Sequence, residues 1–299
     1  MNGLTPCLAF AGALCAAASL AAQEPPAAAP ADSGIVVTGK GQPQSGDEVF
    51  DEVRRLSRVD RIHDEALARF ERPVCPSVVG LRADYAMAII ARIRNNAASQ
   101  RVPLATARCS ANLIVAFVDD GQSVLGTLER NYPRLFGLLP AGERDELLTH
   151  EAPVRVWSVV DTRLASGAPV PRWRGREQLP SVRGRSTSAA FSLPTRRDIE
   201  FAVVVFDRDA VIDLTLTQLA DYATMRGLTH TRPARGDEPA ATILSLFDAD
   251  PAPPALTGFD RGYLRAAYYW GPTYSAATKF VGIEGRAANG KGQASGGPR

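Results

Sequence analysis

Runs of apolar residues alternate with helical periods along most of this chain. Asn112–Val118 is a continuous apolar run closed by Asp119, Asp120 and Gly121, the pattern of a buried strand. Ile199–Phe206 is a second such run. Val154–Val160 alternates and predicts a strand with one polar face, and Val74–Val79 predicts a shorter one. Between them lie helical periods. Ala83–Asn95 carries apolar residues at 86, 89, 90 and 93, with Arg94 on the opposite side. Gln122–Arg130 and a polar lead-in over Asp51–Glu71 also predict helices. Thr215–Leu228 is a helix with Asp213 or Thr215 as N-cap and Gly227 near its end. A tight apolar segment follows at Ala241–Phe247. The last helix is Thr257–Tyr269, with Thr257 as cap and Asp260 at N3, a capping box with Asp in place of Glu. The order is β-α-β-α-β-β-α-turn-α, which predicts one α/β or α+β domain.

The flanks have a different composition. An Ala/Leu-rich run from Cys7 to Ala22 has the features of a signal peptide, although its first residues hold no Lys or Arg. An uncleaved anchor is the alternative. Leu14 before Cys15 is too large for a lipoprotein signal. The expected division is signal peptide 1–22, Pro/Ala/Gly-rich linker 23–50, folded domain 51–272 and Gly-rich tail 273–299. Within the linker, Gly34–Gly39 is a short β-branched piece. It resembles the segment after the signal in many TonB-dependent outer-membrane receptors. Export leaves Cys75 and Cys109 as the cysteines of the mature chain. In an oxidising compartment they predict a disulfide, the alternative being two buried thiols.

Composition adds little. Of 299 residues, 45% are hydrophobic, ample for a core, and a net charge of +2 points to neither nucleic acid nor a membrane surface. Three histidines (His63, His150, His230) are scattered. His150-Glu151 runs into Pro153 and lacks a second His. Gly121-Gln122-Ser123 lacks the glycine a nucleophile elbow needs after its serine. An arginine-rich loop at about 161–197 holds Arg172, Trp173 and Arg174, a possible ligand-binding loop for an anion or carbohydrate.

The stretch Ala220–His230, ADYATMRGLTH, carries the strongest chemical signal. It resembles the zinc helix of metzincin-type metalloproteases, His-Glu-x-x-His-x-x-Gly-x-x-His. There, two imidazoles four residues apart grip one metal and the Glu serves as general base. The motif places its first His on Ala220, its Glu on Asp221, its second His on Thr224, its Gly on Gly227 and its third His on His230. Only the turn glycine, the third histidine and a shortened acid are kept. Leu244 stands near the position of the family's methionine under the metal. Leu256–Tyr268 is similar to the family's C-terminal helix. Exported bacterial families of unknown function show similar eroded layouts.

The resemblance implies a single zincin-like domain: a mixed sheet, a long helix in the C-terminal half, a tight turn and a final helix. It implies no zinc and no other cofactor, since Ala220 cannot ligate and Thr224 is a poor ligand. The expected function is that of an exported, inactive zincin-like module, binding an envelope protein or peptide in the periplasm or outside the cell. Its groove is expected between the strand at 199–206 and the helix at 215–228. The alternative is an unorthodox hydrolase using Asp221 and His230. The plain structural reading makes Ala220, Ala223, Thr224 and Gly227 a small-residue packing face, with Asp221 as a solvated or N–H-bonded carboxylate.

Overall fold

The computed structural model describes residues 46–106, 108–170, 192–235 and 241–280. The signal segment, Gly34–Gly39, Arg172–Trp173–Arg174 and residues 281–299 of the Gly-rich tail lie outside these residues. The elements are α1 (Gly46–Leu56), β1 (Pro76–Val79), α2 (Ala83–Ser99), β2 (Leu113–Val118), α3 (Gly121–Asn131), α4 (Ala141–Thr149), β3 (Val154–Leu164), β4 (Thr195–Asp207), α5 (Leu216–Leu228), α6 (Gly258–Tyr269) and α7 (Ala276–Phe280). The fold is a mixed α/β domain.

The apolar runs form the middle of a four-stranded sheet ordered β1-β2-β4-β3. β1, β2 and β4 are parallel, and β3 runs antiparallel to β4 on one edge. β2 and β4 need apolar residues on both faces because both faces are covered. Val115, Phe117, Val204 and Phe206 enter the larger core with α2, α5 and α6. Ala116, Val203 and Val205 enter a smaller one with Leu125 of α3 and Leu147 of α4. Phe117 and Phe206 are register partners, and their rings stack with centroids 5.1 Å apart.

Helix ends are set by side chains. Thr215 and Gln218 form a capping box at α5, and Thr257 and Asp260 form one at α6. Asp120 caps α3 by accepting from the Ser123 amide at 2.9 Å. Gly227 has a steric reason: a Cβ there would lie 2.5 Å from Leu113 Cδ1 on β2. Any side chain there would have to displace the buried Leu113.

The structure departs from expectation in four places. β3 runs on to Leu164 and β4 starts at Thr195, both reaching into the stretch expected as an arginine-rich loop over about 161–197. The helix expected over Asp51–Glu71 is instead α1, which begins at Gly46 and ends at Leu56. Beyond it Ala66, Leu67, Ala68 and Phe70 are all buried, a spacing no single helix face allows, and the backbone pairs with Thr231, Ser275 and Asp198. α4 was not expected. At the other end the fold continues past 272, because Ala276, Ala277, Lys279 and Phe280 of α7 are buried.

Cys75 and Cys109 are joined, with Cα atoms 6.0 Å apart and 34 residues between them in sequence. The bond pins the start of β1 to the segment before β2. Asn112 reinforces it, accepting from the Cys75 amide at 2.7 Å and donating to the Pro73 carbonyl at 3.1 Å. Closing a loop of this length restricts the unfolded chain by about 3–4 kcal/mol. The double variant Cys75→Ser/Cys109→Ser is expected to lose roughly that much in urea unfolding, and reductant should lower the midpoint of the parent chain alone.

Candidate functional site

The face of α5 that a zinc helix would use is closed. Ala220, Ala223 and Thr224 are fully buried. The Thr224 hydroxyl donates to the Ala220 carbonyl at 2.7 Å and accepts from Asn96 Nδ2 at 3.2 Å. Asp221 is wholly buried as well. Its carboxylate takes a two-point grip from Arg92, whose Nε and Nη2 each lie 2.8 Å away. Asn96 Nδ2 donates at 2.6 Å and the Leu256 amide at 2.7 Å. Four donors fill the lone pairs a carboxylate offers. The Asp221 hydrogen bond raises the already high pKa of Arg92.

Where a groove was expected between the strand at 199–206 and the helix at 215–228, the described side chains pack together: Val204 and Phe206 share one core with Leu219, Ala220, Tyr222 and Ala223, and the Phe206 and Tyr222 rings lie 6.1 Å apart. The small residues of α5 let it close directly onto the sheet, as the Gly227–Leu113 approach requires.

An opening lies elsewhere, at the outer edge of β3. It is a cavity of about 710 Å³. Its walls are the start of β3, Glu143 and Leu147 of α4, Tyr222 and Arg226 of α5, and the segment 229–235. Leu244, on a buried turn at Ile243–Ser245, and Phe247 close one end. Val154, Arg155, Val156, Trp157 and Ser158 are five consecutive lining residues. Side chains alternate along a strand, so an unbroken run means that the strand's edge itself borders the cavity.

His230 is in this wall, away from the donors that hold Asp221. Its Nε2 is 3.6 Å from Glu143 Oε2. Burial, and then the charges of Arg197, Arg58, Arg226 and Arg232, push its pKa well below the ordinary value, so it is neutral. Arg226 is buried beside it, with Nη1 donating to the Tyr222 hydroxyl at 2.9 Å. Desolvation lowers the pKa of Arg226.

The zinc that the motif resemblance brings to mind does not fit these residues. Ala220 offers no ligand atom, Thr224 and Asp221 are already bonded, and His230 faces the cavity without them. No group of three or more His, Cys, Asp or Glu side chains placed to hold a metal occurs among the described residues. The disulfide flanks β1 and does not line the cavity. Arg92, Asn96, Tyr222 and Arg226 were not singled out by the sequence. Arg92 and Asn96 carried a readable signal, being polar residues four apart on one face of an otherwise apolar-periodic helix.

The chain matches no protein-family model, no curated protein and no solved structure.

Two predictions follow from the buried charges. Asp221→Ala leaves Asn96, the Leu256 amide and half-exposed Arg92 without their acceptor. It is expected to cost about 2–4 kcal/mol in chemical denaturation, with Asp221→Asn intermediate. A surface-like loss below 0.5 kcal/mol would contradict this account. His230 is neutral in the fold, whereas the unfolded chain takes up its proton near pH 6.5. Its contribution is therefore intact above pH 6.5 and lost as the pH falls below it. His230→Gln is expected to flatten the decline of the urea midpoint between about pH 6.5 and 5.

Proposed function

We propose that this chain is an exported binding module with an eroded zincin-like layout, and that it binds an extended peptide along the outer edge of β3 without cutting it. One observation carries the reading: five consecutive residues of the sheet's antiparallel edge strand border a cavity of about 710 Å³. An edge strand offers a row of backbone donors and acceptors that an incoming strand can pair. The cavity also falls in the size range of ligand sites.

The case against hydrolysis rests on Asp221. A general base must reach water or substrate, and this carboxylate is buried under four donors. The case for export rests on the N-terminal sequence and on the Cys75–Cys109 bond, which suits an oxidising compartment. No helix among the described residues is long and apolar enough to cross a membrane.

Two measurements test the proposal. After exposure to Zn²⁺ and thorough desalting, the purified chain should retain no stoichiometric metal. One tightly held ion per chain, lost in His230→Ala, would replace the binding module with a metallohydrolase. Hydrogen exchange in the presence of a pool of short random peptides should slow at Val154–Ser158, with every peptide recovered whole. Unchanged exchange there would remove β3 as the docking edge.

A further inference from the structure

Arg226 sits near the C-terminal end of α5 with only 5% of its surface exposed. A guanidinium so deeply buried is ordinarily paired, because desolvating it is costly. Arg155, also only 5% exposed, follows that rule and meets Asp207 at 2.9 Å. Arg226 does not. Its Nη1 bonds Tyr222, its Nε is buried with no partner, and Nη2 makes no hydrogen bond among the described residues. No carboxylate of the described residues lies within ion-pair distance of it.

Four acids line the same cavity, Glu143, Glu146, Glu151 and Asp248, and none of them lies within ion-pair distance of Arg226. Glu143 pairs with Arg58 at 3.1 Å and faces His230, and Glu146 reaches Arg58 at 4.0 Å. Two more arginines of the same wall, Arg232 and Arg235, have no ion pair among the described residues. Arg232 donates to the Ser57 carbonyl at 2.7 Å. Trp157, another wall residue, has a buried indole N–H with no acceptor. The buried unmet groups of this wall are donors, and its six arginines outnumber its four acids.

We infer that Arg226 is the receptor for a carboxylate carried by the peptide that lies along β3. This inference rests on the binding reading above and names the chemistry of its ligand. What Arg226 leaves unused is its Nε–Nη2 edge, the edge with which Arg92 holds Asp221. Two parallel N–H donors in one plane match the two oxygens of a carboxylate, the anion that a peptide itself carries. Arg232 and Arg235 add attraction at longer range. The carboxylate is either the peptide's C-terminus or an Asp or Glu side chain.

The test is retention of random N-acetylated pentapeptides on the immobilised full chain, in one pool with free C-terminal carboxylates and one with terminal amides. Retained peptides are read by mass spectrometry. The expected result is at least tenfold stronger retention of carboxylate-bearing peptides, abolished in Arg226→Met. Arg226→Lys, which keeps the charge and loses the planar fork, should lose most of the preference. Selectivity for the free-acid pool identifies the C-terminus as the source, and Asp- or Glu-containing members retained from the amidated pool identify the side chain. A urea midpoint for Arg226→Met equal to or above that of the parent chain is also expected, since an unpaired buried charge is removed. Equal retention of charged and uncharged peptides, or a preference that survives Arg226→Met, would overturn the carboxylate receptor and leave docking on β3 standing. Retention of neither pool would overturn both.

Discussion

The Asp221 carboxylate is the point through which three helices are tied. It sits on α5, accepts from Arg92 and Asn96 on α2, and accepts from the Leu256 amide just before α6. A charge in that position is tolerable only if each lone pair is met, and each is. The consequence runs outward. α2 is held close enough for Ala220, Ala223 and Thr224 to pack without gaps. α6 starts at a fixed height, where Thr257 and Asp260 cap it. The Asp260 carboxylate then binds the Thr242 hydroxyl at 2.5 Å and the Ile243 amide at 2.8 Å, fixing the turn that carries Leu244.

α5 therefore has two electrostatic characters. At Asp221 an acid and a guanidinium satisfy each other in the interior. Five residues later, on a different side of the helix, Arg226 is buried without an acid. The first arrangement ties the helix to its neighbours, and the second leaves a buried guanidinium without a counter-charge among the described residues. Both cost desolvation, but only the first is repaid within the described chain. Sites held in readiness at the expense of stability are where binding function is usually found.

Much of the fold was legible in the sequence, for identifiable reasons. The runs at 112–118 and 199–206 could be read because both faces of a central strand must be apolar. Thr215 and Thr257 were legible as caps, since orphan amides at helix starts need a nearby oxygen. The disulfide followed from an even pair of cysteines in a chain whose N-terminal sequence has the features of a signal peptide. α4 was not legible: AGERDELLT buries only Leu147, too little for a period to show. The irregular stretch after α1 was misread because its burial comes from isolated bridges to Thr231 and Ser275, which no local pattern encodes. Within Ala220–His230 the motif positions drew the eye, and Arg226 lay unremarked between Thr224 and Gly227. What distinguishes Arg226 is that no acid of the described residues pairs with it, a tertiary fact that no spacing along one chain can reveal.

An open sheet edge is also an invitation to the protein itself. A second copy could in principle pair its β3 with the first and extend the sheet across two molecules, the common route to strand-mediated aggregation. Such a pairing is two-fold symmetric, so the wall beside one edge is brought up against the same wall of the other copy. Here that wall carries six arginines against four acids, and two net-positive surfaces would be pressed together as the edges closed. On the proposed reading, the charge that would favour an acidic guest also opposes self-pairing, so that solubility and selectivity would share one set of side chains.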